Sequence, residues 1–179
     1  MPRPTTCPSA RALLAAALAA LLLLPPAAGA AIAVRASVEE LARGSDAVVR
    51  GTVIRQAAHR AGTRIYTEVT LRTTAVWRGA APAEVRVRVP GGEVDGIGQR
   101  VDGAPEFTKG EETVVFLAAD GAGGFRVQGL AQGKFRVDGV SAAPDLHRTG
   151  FARSEVGAGE RASEPMPVDE LERRVKGTR

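Results

Sequence analysis

The chain has a single cysteine, Cys7, and no asparagine. Cys7 precedes the first long apolar run, so the body of the chain has no disulfide and no thiolate metal ligand. It must hold together by its core alone. Aromatics are scarce, with one Trp, one Tyr and five Phe, which argues against a surface that stacks single-stranded bases. Lysine is rare beside arginine and occurs only at Lys109, Lys134 and Lys176. The two histidines, His59 and His147, stand apart in segments that read as loop or tail, and no serine sits in a nucleophile elbow. The phosphate loop, the zincin motif and the dinucleotide fingerprint are all missing. These absences leave no local motif for catalysis, so no catalytic residue, metal or cofactor is expected.

What is present first is a leader. Arg3 and Arg11 precede an apolar run from Ala12 to Leu24, closed by Pro25 and Pro26 and followed by Ala28-Gly29-Ala30. This reads as a signal peptide over residues 1–30, cut after Ala30, because the run falls short of the ~20 residues that span a bilayer. An exported protein, periplasmic or secreted and with no membrane span after cleavage, is the expectation. Removing the leader takes away two arginines and no acid, so the formal charge falls from +4 to +2. Export and that small charge argue further against nucleic acid as a partner.

The remaining 149 residues are one domain's worth. Ser37-Val38-Glu39-Glu40 is a capping box that predicts a helix over Val38–Arg43. Strands are expected over Ala47–Ile54, with Gly51 at a bulge or bend, and over Arg64–Trp77, Glu84–Val89 and Thr113–Ala118. The second, at ~3.3 Å per residue, would reach ~46 Å and should coil around a barrel rather than lie flat. Phe125-Arg126-Val127 returns ten residues later as Phe135-Arg136-Val137, which suggests a hairpin with Val127 opposite Phe135 and Arg126 opposite Arg136. Ile65, Val69, Leu71, Val87, Val115, Phe116, Phe125 and Phe135 are expected on one buried face. A β-barrel domain is thus placed at 31–140, a loop or disordered segment at 141–167, and a C-terminal helix and tail at 168–179, with Asp169 as candidate N-cap. The fold class is mainly β: a small OB-like β-barrel of five or six strands with a short helix at each end. A β-sandwich is the alternative, since period-2 patterning does not separate the two.

Two surfaces are candidates for binding. The first is the long Gly-rich connection between the third and fourth strands, with Gly91, Gly92, Glu93, Asp95, Gly96, Gln99, Arg100 and Asp102. Long loops in small domains are functional or disordered. The carboxylates Glu93, Asp95 and Asp102 match no calcium-loop spacing. The second is a set of outward arginines, Arg86, Arg88, Arg126 and Arg136, with Arg72 nearby. An anionic neighbour is expected if Arg126 and Arg136 face each other.

The segments SDAVVRGTV, RIYTEVTLRTTAVWRG, VRVPGGEVDGIGQRVDGAPEFTKGEETVVFL and GLAQGKFRV resemble a family of uncharacterised exported bacterial proteins. The resemblance runs from about Leu41 to Val137. It is most specific in the GG-x3-G-x-GQ loop and the GE-x3-FL strand, and it implies one domain without implying an activity. The opening SDAVVRGTV also resembles the OB-fold domain of tissue metalloproteinase inhibitors. Their N-terminal cysteine and disulfides are absent here, so that resemblance implies fold and not mechanism. The functional expectation is an exported, non-catalytic binding module for a protein or polysaccharide partner. The alternative is a hydrolase built on carboxylates such as Glu93 with Glu106 or Asp102, acting on an envelope polymer.

Overall fold

A computed structural model describes residues 32–33, 35–146, 150–151 and 164–178, with backbone alone at 32–33 and 150–151. The expected signal peptide, His147 and most of 145–167 lie outside the described residues. The chain is mainly β, with a short helix near each end. Eight strands form one large mixed sheet. Short strands Ile32–Ala33 (β1) and Gly150–Phe151 (β11) pair separately in parallel.

The N-terminal helix, α1 (Val38–Arg43), forms where its capping box places it. Ser37 Oγ accepts from the Glu40 amide at 3.2 Å, and the Ser37 amide donates to Glu40 Oε2 at 2.8 Å. Strand β2 (Ala47–Ala61) and strand β3 (Arg64–Gly79) then make a long antiparallel arm. From the sequence, β2 is expected to end at Ile54. In fact it runs seven residues further and takes in His59, because the continuous β3 opposite supplies a pairing partner that compensates for weak apolar alternation in Arg55–Ala61. The register shifts between Arg50 and Gly51, as the glycine suggested. A Cβ at Gly51 would stand 2.5 Å from the Arg72 carbonyl oxygen, so only glycine lets the strands approach there.

Strand β4 (Glu84–Pro90) pairs with β3, and β7 (Glu112–Ala119) pairs with the first part of β2. Strand β8 (Phe125–Val127) joins both ends: it runs parallel to β4 and antiparallel to β7. Beyond β7 the sheet continues through β9 (Lys134–Asp138), β10 (Ser141–Pro144) and β12 (Met166–Pro167). The repeated Phe-Arg-Val segments therefore do not pair with each other. Arg126 lies opposite Arg88 and Ala118, while Arg136 lies opposite Thr113 and Ala143. Both segments lie on the edge of β7 away from β2, β8 beside its C-terminal half and β9 beside its N-terminal half, and a 3-10 turn at Leu130–Gly133, entered through Gly129 and Leu130 at φ 73° and 56°, bulges out between them.

The buried side chains form two cores, not the single face expected from strand period. Strand β7 explains the division: Val114 and Phe116 point one way, Val115 and Leu117 the other, and all four are fully buried. Burial on both faces is what its near-continuous apolar sequence encodes. The first core gathers Phe116, Phe135 and Trp77 with Val38 and Leu41 of α1 and with Leu171 and Val175 of the C-terminal helix, α2 (Val168–Gly177). The Phe116 and Phe135 rings lie 5.8 Å apart and tilted. The second core is aliphatic and strand-built, with Val49, Val53, Val69, Leu71, Val87, Val115 and Leu117, and with Phe125 only partly buried against it. Ile65 is buried but belongs to neither cluster.

Pro167, rather than Asp169, stands at the N-cap of α2 and gives no side-chain cap. The helix start is fixed instead by the sheet: Pro167 pairs with Ser141, and the Val168 amide donates to the Val140 carbonyl at 2.9 Å. Glu39 of α1 and Arg174 of α2 form a two-pronged ion pair at 2.7 and 2.9 Å. Arg174 holds the Glu39 carboxyl below the usual glutamate range, chiefly through these hydrogen bonds.

Candidate functional site: the cleft beneath the Gly-rich hairpin

The connection between β4 and β7 is an ordered wall. Gly92–Val94 (β5) and Ile97–Gln99 (β6) form a small hairpin. Its turn residues, Asp95 and Gly96, have φ of 53° and 73°, as a type I′ turn requires. The hairpin is tied to β3. The Gly91 amide donates to the Ile65 carbonyl at 2.8 Å, and the Ile65 amide donates to Gln99 Oε1 at 2.6 Å. Thr67 Oγ1 donates to the Gly91 carbonyl at 2.8 Å. Gly92, at φ 135°, lies so close to β3 that a Cβ there would stand 2.5 Å from Thr67 Oγ1. The two glycines are thus needed for packing as well as for turning.

Between the hairpin and the segment 104–107 lies a cleft of about 610 Å³. Thr67, Val69 and Val89 contribute from the strands, Gln56 closes one side, and Phe107 and Glu106 line the far wall. Of the candidate residues, Gly91, Gly92, Glu93, Gln99 and Arg100 line this cleft. Asp95 and Gly96 sit at the exposed hairpin tip, and Asp102 lies off the lining. Glu93, Asp95 and Asp102 are therefore not gathered around one point. Among the described residues no three His, Cys, Asp or Glu side chains come together as a metal would need.

The far wall is anchored by a group that strand patterning misses. Lys134 is fully buried, and its ammonium contacts Glu111 Oε1 at 2.5 Å, donates to the Glu106 carbonyl, and lies 4.9 Å from the centre of the Phe107 ring. Arg136 and Asp145 complete the cluster, each within 4.0 Å of an opposite charge. Gln56 Nε2 also donates to the Phe107 carbonyl at 2.9 Å. A lone lysine in an arginine-rich sheet was the available signal.

The second candidate surface divides. Arg86, Arg88 and Arg126 are exposed on neighbouring strands β4 and β8, whereas Arg136, on β9, belongs to the Lys134 cluster. Arg88 lies over the Tyr66 ring at 6.0 Å and 3.9 Å from Asp120. Backbone amides of the turn, first Ala122 and then Gly124, hold the Asp120 carboxyl below its usual range. The anionic neighbours inferred for these arginines are thus partly the protein's own carboxylates. No described helix is long and apolar enough to cross a membrane. Comparison with known protein families, curated proteins and solved structures found no match.

Proposed function

We propose that the chain is an exported, non-catalytic binding module whose ligand, a protein segment or polysaccharide, sits in the cleft beneath the Gly-rich hairpin. The observation that carries this reading is the cleft itself. Its volume of about 610 Å³ falls in the range of ligand sites, and its lining mixes apolar side chains with a few polar groups. The ligand makes its polar contacts to Arg100, Glu93 and the hairpin backbone and its apolar contacts to Val101 and Phe107. An OB-like barrel is the architecture that goes with this reading. Support comes from the pairing circuit β7–β2–β3–β4–β8–β7, which returns to its first strand with one parallel pairing, β4 with β8. A sandwich would need two facing sheets, and these strands share one hydrogen-bonded sheet. On such a barrel the hairpin and the Lys134-anchored wall cover one end and leave the cleft open.

The hydrolase alternative keeps one supporting observation, that Glu93 and Glu106 both line the cleft. Capture of material from the producing cell's envelope and medium separates the two. The binding reading expects a partner retained by the wild type, reduced about tenfold or more by Arg100→Ala, and unchanged in mass after prolonged incubation. Cleavage of the captured material, lost in Glu93→Gln or Glu106→Gln, would replace the binding reading with the hydrolase.

A further inference from the structure

The outer half of the β2–β3 arm carries charge that the fold does not use. Arg55 to Arg64 hold three arginines, His59 and no acid. Arg55, Arg60 and Arg64 are exposed, and none forms an ion pair among the described residues. The same stretch has an open backbone edge. Strand β7 accompanies β2 only as far as Thr52, and the chain entering β7 adds backbone bonds at Val53. From Ala57 to Ala61, β2 pairs with β3 on one side and with no described strand on the other.

The turn at the tip shows which groups face that edge. Ala61 and Arg64 flank a two-residue turn whose first residue, Gly62, has φ 62°, the arrangement of a type II′ hairpin. The flanking pair is hydrogen-bonded, and bonded and non-bonded pairs then alternate down the arm. Arg60 with Ile65, and Ala58 with Thr67, are accordingly the non-bonded pairs. Ala58 and Arg60 turn their N–H and C=O outward. Ile65 obeys the same alternation, since its own backbone groups bond to Gln99 and Gly91 on the side away from β2.

We propose that this edge receives an extended acidic peptide segment as an added strand. Ala58 and Arg60 supply the main-chain bonds, and carboxylates on both faces of the added strand meet Arg60 on one face and Arg55 and Arg64 on the other. A second copy of the chain is the wrong occupant, because edge-to-edge pairing would set like charges across from each other. A flexible anionic polysaccharide would use the arginines and leave the backbone edge unsatisfied. This surface does not depend on the cleft reading.

Fluorescence anisotropy with a labelled ten-residue peptide of Glu-Glu-Val-Val repeats, which carries carboxylates on both faces of a strand, tests the proposal. A Lys–Val peptide and a galacturonate oligomer of similar charge serve as controls. The acidic peptide is expected to bind and the basic one not. The charge reversal Arg55→Glu/Arg60→Glu/Arg64→Glu should abolish binding. Ala58→Pro removes an outward amide and keeps the β3-facing bonds, and it should weaken binding about three- to tenfold, the loss of one main-chain hydrogen bond. Amide exchange of the wild type gives a second readout: Ala58 and Arg60 should gain protection with the acidic peptide. Absence of acidic-peptide binding would overturn the proposal. So would unchanged exchange at both amides, or a galacturonate oligomer that binds as tightly as the peptide and is indifferent to Ala58→Pro.

Discussion

The two apolar cores share strand β7 but are closed by different means. The core containing Phe116 and Phe135 is sealed by both helices, which pack Leu41 and Leu171 against the sheet and are joined by the Glu39–Arg174 ion pair. The core containing Val115 and Leu117 is enclosed by strands, and Val69 and Val89 reach from it to the floor of the cleft. One core is closed by packing from outside the sheet. The other depends on a hairpin and a buried lysine to cover its end, and it is there that room for a ligand remains. The two faces of one strand thus differ in how they are covered, although both are fully buried along β7.

The largest effects should come from β7 itself. Phe116→Ala should cost about 3–5 kcal/mol and Leu117→Ala about 2–5 kcal/mol in denaturant unfolding. Trp77 lies in the helix-covered core, so its fluorescence reports that side. If the cores form one cooperative unit, the fluorescence and circular-dichroism transitions will coincide in both variants. Separate transitions in Leu117→Ala would show that the cores unfold independently.

A slightly smaller loss is expected at the cleft wall. Lys134→Met strands Glu111 and Asp145 without their buried cation, which should cost about 3 kcal/mol. Adding Glu111→Gln should recover part of that loss. Amide exchange should locate the damage in residues 104–111 and spare α1 and α2. Protection lost equally across both helices would remove the distinction between the two faces.

The smallest effect concerns the helix clamp. The Glu39 carboxyl is held below its ordinary value by Arg174, so its contribution is present above the unfolded carboxylate range and disappears as pH falls through the folded value. The pair is partly exposed, so the gain is no more than about 1 kcal/mol. Wild type and Glu39→Gln should therefore differ at neutral pH and converge in acid. A difference that persists unchanged into acid would show that the charge on Glu39 is not its source.

Much of this architecture is legible in the sequence where local chemistry and burial agree. The Ser37–Glu40 capping box fixes α1, and clean alternation fixes β3 and β4. Strand β2 is harder, because Arg55–Ala61 is extended by its partner rather than by its own pattern. The repeat at Phe125 and Phe135 misleads for a related reason: similar strands need not pair, and here the two copies follow one another along the same edge of β7, separated by the turn at Leu130. Period-2 reading also merges the two cores, because it sorts residues by face within a strand and does not say how faces align across strands. In the candidate site, the glycines mark where the backbone takes positive φ, at Gly91, Gly92 and Gly96. Its hairpin was readable in Val94-Asp95-Gly96-Ile97, a turn pair between β-branched residues. The buried Lys134 had only its rarity to reveal it.

The proposed function puts the ligand in the cleft beneath the hairpin. Site-specific photocrosslinking in the producing cell tests it most directly, with the probe placed in turn at Glu93, Arg100, Arg86 and Arg136. Positions 93 and 100 line the cleft, whereas 86 and 136 lie on separate outer surfaces. One and the same crosslinked partner is expected from Glu93 and Arg100 and none from Arg86 or Arg136. A partner captured from Arg86 or Arg136 alone, or no crosslink from either cleft position, would contradict it.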